Sequence, residues 1–158
     1  TLDLRVVRIT PLAKAREGGH EVVFLGDSIT QGWEGEGKDT WARRIAPLKA
    51  LNAGIGGDRT QHVLPRLDDG LLDAMTAPNN HVKAVVVMIG TNKVTATNAL
   101  LAPLGETRNV TFLDSGGSFF DDQSTLRHDL MPDYLHLSPA GYEIWAGALQ
   151  PTLTSLLN

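Results

Sequence analysis

Two rhythms of hydrophobic and polar positions run through this chain. Four short runs are mostly apolar, two of them rich in β-branched residues: 21–26, 50–53, 83–89 and 110–113. Such runs, each stopped by Gly or Asp, predict parallel strands covered on both faces. Between them lie stretches with helical spacing. Trp41, Ile45 and Leu48 fall on one face of a helix that Asp39 or Thr40 can cap. Val63, Leu64 and Leu67 mark a second, in which Pro65 is expected to introduce a kink. Ala96, Leu100, Leu101 and Leu104 form the stripe of a third, over 95–104. Ser138-Pro139, a cap followed by a first-turn proline, opens a fourth over 140–149 that Pro151 ends or kinks, with a few more helical residues after it. The first 20 residues carry weaker signals and read as an arm plus a short helix from Pro11 that Gly18-Gly19 ends. Strands alternating with helices predict an α/β fold, a parallel sheet between two helical layers, as a single domain over 1–158.

The bulk properties narrow the function. A net charge of −4 without a basic block does not suggest a nucleic-acid surface. There is no cysteine, so disulfides and thiolate chemistry drop out together, and the compartment, cytoplasmic or secreted after processing, stays open. The longest apolar run, 84–89, is far too short to span a membrane. The segment Gly32 to Asp39 nearly fits a phosphate-binding loop, but Asp39 stands where a hydroxyl should hold magnesium, and Glu34 and Glu36 would repel phosphate. It reads instead as a flexible rim loop with Trp33 as a pocket wall. No cofactor and no metal are expected; Asp121 and Asp122 read as solvated charges, and His20, His62, His81 and His128 as surface or structural histidines, with His62 the one nearest a glycine-rich block.

Chemistry gathers at the carboxyl ends of the strands, where open parallel sheets bind ligands. Gly26-Asp27-Ser28 closes the first strand, Gly54-Ile55-Gly56-Gly57-Asp58 the second and Gly90-Thr91-Asn92 the third, while a long loop carries Asp133 and His136. Serine is a weak nucleophile until a base removes its proton, and histidine is tuned for that work near neutral pH. A carboxylate can hold the imidazole in the required tautomer. The N–H groups of Ser28 and Gly57 and the side-chain amide of Asn92 can converge on an oxyanion.

These four blocks, in this order, resemble those of the SGNH (GDSL) hydrolases. The wording of Leu51 to Asp58 and of Asp133-Tyr134-Leu135-His136-Leu137 is most similar to the catalytic subunits of platelet-activating-factor acetylhydrolases and their bacterial relatives. The resemblance implies a three-layer flavodoxin-like fold and hydrolysis of small-acyl, acetyl-type esters through an acyl-enzyme. It makes Ser28 the nucleophile, His136 the base and Asp133 its orienter. Ser28, Gly57 and Asn92 become the oxyanion hole, and Asp27 a brace behind the turn. It implies a small-molecule ester as partner and a homodimer as assembly. A catalytically dead relative that binds carbohydrate or lipid, and an acyltransferase, use the same residue types and stay open.

The chain departs from this pattern in one place. Relatives place a helix, a further parallel strand and a loop after the Gly-Thr-Asn block, whereas here Asn92 runs directly into Lys93 and what resembles a later helix. Either a segment is missing from the sequence between Asn92 and Lys93, or the chain is a compact variant with one strand fewer. In the second case His136 is expected to slip by one strand spacing, about 4.8 Å, relative to Ser28 unless the long loop compensates.

Overall fold

The computed structural model describes residues 4–89 and 111–158. Its sheet has three parallel strands in the order β2–β1–β3. They are β1 (Val22–Gly26), β2 (Ala50–Gly54) and β3 (Ala84–Met88). The helices are α1 (Leu4–Glu17), α2 (Ser28–Gln31), a helical run over 38–48 (α3), α4 (Thr60–Arg66), α5 (Leu72–Thr76) and α6 (Pro139–Leu157).

β1 lies between its two neighbours and is buried along its whole length, which is why its sequence is apolar without alternation. Successive side chains leave opposite faces. Val22 and Phe24 enter one core with Ile29, Trp33, Ile45, Tyr142 and Trp145. Val23 and Leu25 enter another with Ala15, Leu71, Ala74 and Met75. Helices α3 and α6 cover the first face, and α1 and α5 the second. The chain therefore has the three-layer parallel α/β architecture that the alternation of its elements predicts.

Several expectations need correction. Trp33 is not on a mobile rim: it is 1% exposed, stacked on Trp145 at 5.0 Å and edge-on to Phe24 at 6.3 Å. A Cβ on Gly37 would come within 2.7 Å of the Trp33 ring and 2.8 Å of Tyr142, so this glycine makes room for aromatics. Helix α1 begins at Leu4 and passes through Pro11, and α6 passes through Pro151 to Leu157. In α6 the buried stripe Tyr142, Trp145, Ala146, Leu149 and Leu153 continues across that proline, and its burial outweighs the missing hydrogen bond. Pro65 likewise lies within α4. The bend falls later, at Gly70, whose φ of 102° favours glycine.

The third strand is shorter and wetter than its sequence suggests. Val85 and Val87 are 45% and 59% exposed. The strand expected over 110–113 does not form in its described part. Residues 111–115 are irregular and Leu113 is 40% exposed. Among the described residues no sheet neighbour offers this segment a ladder, and unpaired backbone groups then turn to water or local turns. The helix expected over 95–104, the Asn92–Lys93 junction and Val110 lie outside the described residues.

Candidate active site

At the end of β1, Asp27 caps α2: its buried carboxylate accepts from the Ile29 N–H at 3.0 Å. The strand must end in glycine here, because a Cβ on Gly26 would lie 2.1 Å from both the Met88 carbonyl and Thr30 Oγ1. Ser28 is thereby set at the first helical position, half-buried at the strand's carboxyl end. On the far side, the Tyr142 hydroxyl of α6 donates to the Ile29 carbonyl at 2.6 Å, tying the last helix to the serine turn. Burial, with the Asp27 and Glu36 charges, pushes that phenol's pKa up and keeps it a donor.

His136 reaches Ser28 from 108 residues away. Its Nε2 lies 2.9 Å from Ser28 Oγ, and its Nδ1 lies 2.7 Å from Asp133 Oδ2. The other oxygen of Asp133 accepts from the N–H groups of Leu135 at 3.0 Å and His136 at 2.6 Å. The Asp-x-x-His spacing thus closes a turn on its own carboxylate. Tyr134, at φ 60°, takes the left-handed step of that turn and is 67% exposed, its ring edge-on to His128 at 5.4 Å. Ser138 fastens the loop to α6. Its hydroxyl donates to the Asp129 carbonyl at 2.7 Å and accepts from the Gly141 N–H at 3.2 Å, while its own N–H donates to the Leu130 carbonyl at 2.8 Å.

The His136 imidazole holds the Asp133 carboxyl down to about 2, with the His136 and Leu135 N–H groups adding to the effect. With Asp133 ionised, Nδ1 is the proton-bearing nitrogen, and Nε2 is left to accept from the serine hydroxyl. Because this carboxyl is depressed from its ordinary 3.8, its contribution to stability is fully present above that value and is lost as pH falls through about 2. A carbon-detected NMR titration should give a midpoint for Asp133 near 2. A midpoint at the ordinary value would mean that the turn and its imidazole contact do not persist in solution.

The loop after β2 comes close to the serine. The Ile55 N–H donates to the Gly26 carbonyl at 3.0 Å, and the Asp58 N–H to the Ile55 carbonyl at 3.1 Å, closing a turn with Gly57 at φ 80°. A Cβ on Gly56 would stand 3.9 Å from the Ser28 Cβ. Beneath this turn lies Arg66, a residue that sequence reasoning passed over. It is 5% exposed, donates to the Ala53 carbonyl at 2.7 Å, reaches the Gly26 carbonyl at 3.5 Å, and forms an ion pair with Asp58 at 2.9 Å. One guanidinium therefore joins the ends of β1 and β2 and the carboxylate that follows Gly57. Its signal is in the spacing: Arg66 follows Val63 by three, which puts a cation on the helix's apolar face.

The remaining candidates are placed as follows. Ser28, Asp133 and His136 are brought together, with Gly57 in the adjoining turn and Asp27 behind it, whereas Asn92 lies outside the described residues. His62 Nδ1 accepts from the Arg59 N–H at 3.1 Å and stands 3.7 Å from Asp58. His20 bonds the Lys14 carbonyl, and Asp121 accepts from the N–H groups of Gln123 and Thr125. A cleft of about 410 Å³ beside β2, bordered by Trp33, Trp41, Lys14 and Asn52, includes none of Ser28, Asp133 or His136. Among the described residues no group of three metal-ligating side chains could hold an ion, and no helix is long and apolar enough to cross a membrane.

Comparison with known proteins gives the family. Residues 24–97 match the profile of the GDSL-like lipase/acylhydrolase family. The platelet-activating factor acetylhydrolase IB subunit alpha1 of Bos taurus is 32% identical, over 93% of this chain and 81% of its own length. The chain belongs to the GDSL-like lipase/acylhydrolase family. The alpha2 subunit from Bos taurus is a further relative, 30% identical over 87% of this chain and 78% of its own. A solved structure described as a platelet activating factor from Streptococcus pneumonia shares the fold, with TM-score 0.60 and 17% identity over 95% of this chain and 94% of that one. As a GDSL-like acylhydrolase the chain is a carboxylic ester hydrolase by class. The match to the Bos taurus alpha1 subunit spans 189 aligned positions, more than the 158 residues present here, so that relative carries residues with no counterpart in this GDSL-like chain.

Proposed function

We propose that this chain is a single-domain serine esterase that removes a small acyl group, acetyl by analogy with its relatives, through an acyl-enzyme on Ser28. The observation that carries this reading is the hydrogen-bonded chain from Ser28 Oγ through both imidazole nitrogens of His136 to Asp133, at 2.9 and 2.7 Å. Both distances lie within the reach that proton transfer requires.

In this reading Ser28 Oγ attacks the ester carbonyl while His136 Nε2 takes its proton. The carbonyl π electrons move to oxygen, and the N–H groups of Ser28 and Gly57 with the Asn92 amide receive that charge. Collapse breaks the bond to the alcohol, which leaves with the proton from His136. Water, deprotonated by the same nitrogen, then attacks the acyl-serine and releases the acid. Asp133 stays ionised throughout and stabilises the imidazolium.

Intact-mass spectrometry after exposure to a fluorophosphonate should show one adduct per chain, mapped to Ser28 by peptide sequencing. A protein that takes no adduct, or takes it elsewhere, would falsify the nucleophile assignment.

A further inference from the structure

We propose that Gln31 is a positioning residue that holds the Gly56-Gly57 backbone against Ser28, so that the Gly57 N–H faces the developing oxyanion; the proposal rests on the esterase reading above. Paired glycines have the widest backbone freedom of any dipeptide, and an oxyanion donor is useful only if it is fixed before the charge arrives. The turn needs a tether, and the structure supplies one from the serine's own helix. Gln31 is the last residue of α2, three positions after Ser28, and its backbone N–H is bonded to the Asp27 carbonyl at 2.9 Å. Its side-chain Oε1 accepts from the Gly56 N–H at 2.8 Å. That donor fixes the amide's orientation, since only the oxygen can accept.

The packing leaves little tolerance. A Cβ on Gly56 would lie 2.7 Å from Gln31 Oε1 and 3.9 Å from the Ser28 Cβ, so the glutamine carbonyl and the nucleophile flank the same point of the loop. A Cβ on Gly54 would come within 2.3 Å of the Gln31 backbone nitrogen. The Ile55 and Asp58 N–H bonds fix the peptides on either side. Among the described residues, the Gln31 bond is the one made by a side chain to the glycine pair itself. Because Gln31 is exposed, its loss should change where the loop sits rather than whether the chain folds.

The test is Gln31→Met, which keeps length and volume but removes the acceptor, assayed with p-nitrophenyl acetate beside the unsubstituted enzyme. The expected result is a kcat lowered by about 10- to 100-fold, less than for outright loss of an oxyanion donor. KM should stay within about 3-fold and the melting temperature within about 2 °C. A trifluoromethyl ketone, whose adduct with serine carries an oxyanion, should bind more weakly by the same factor as kcat/KM. An unchanged kcat in Gln31→Met overturns the proposal alone. A loss of rate with a matching fall in melting temperature also overturns it, by making the residue merely structural. If the unsubstituted enzyme does not turn the ester over, the esterase reading fails and this proposal fails with it.

Discussion

Ser28→Ala is expected to lower kcat toward a chromogenic acetyl ester by roughly 10⁴- to 10⁶-fold, with little change in melting temperature. His136→Ala should fall in the same range, and the double substitution should be no worse than either alone. The reason is in the geometry. The hydroxyl is a nucleophile only while Nε2, 2.9 Å away, takes its proton, so serine and imidazole act as one device and removing either leaves the other idle. Asp133→Asn should cost about 10⁴-fold, because an amide can present its NH₂ to Nδ1 and stabilise the wrong tautomer. Steady-state rates for the four variants check the scheme. A Ser28→Ala enzyme that keeps a tenth of its rate, or a double variant far below both singles, would mean that another group performs the attack.

Arg66→Met is expected to be the most destabilising single change at the site, by about 3–5 kcal/mol, since it strands a largely buried carboxylate. Asp58 is 11% exposed at its side chain and faces the guanidinium at 2.9 Å. The Ala53 and Gly26 carbonyls lose their Arg66 contacts in the same step. Urea unfolding followed by tryptophan fluorescence should show a lower midpoint with an unchanged slope. Asp58→Asn in the Arg66→Met background should recover part of the loss, because the stranded charge is then gone. A midpoint within error of the parent would mean that the Asp58 carboxylate finds water or another partner once the guanidinium is gone, and would overturn its reading as stranded.

The parts of this molecule legible in the sequence are those where one local rule acts alone. β1 is a buried strand because both of its faces are covered, and its five apolar residues say so. The cap at Ser138 is legible because side-chain oxygens compete for free N–H groups at helix starts, whereas Asp27, read only as a brace behind the turn, turns out to be the cap of α2. Loop 32–39 was not legible, because Gly37 has the same letter whether it loosens a loop or admits two aromatic rings. Val85 and Val87 look like core residues, yet their exposure depends on what covers the sheet, which the run itself does not encode. The descent of α6 through Pro151 reflects tertiary burial overriding a local preference. Gln31 carries no signal at all, since a polar residue at the end of an amphipathic turn is the commonest thing on a protein surface. His136 stands 2.9 Å from Ser28, while the Asn92–Lys93 junction on which the expected slip depends lies outside the described residues. The described path from 111 to 115 is irregular, and the anchor of Ser138 on α6 sets the loop that delivers the imidazole.

The 108-residue separation of Ser28 and His136 also sets an order in time. The ribosome makes the serine, together with the capped turn that presents it, well before the imidazole. The loop that carries His136 leads directly into α6, which is tied through Tyr142 to the Ile29 carbonyl beside the serine. Until the imidazole is in place the nascent chain carries an ordinary hydroxyl, no more reactive toward the esters around it than any other serine. Long-range closure is slow compared with local helix formation. The nucleophile is thus armed only after at least 108 further residues have been made.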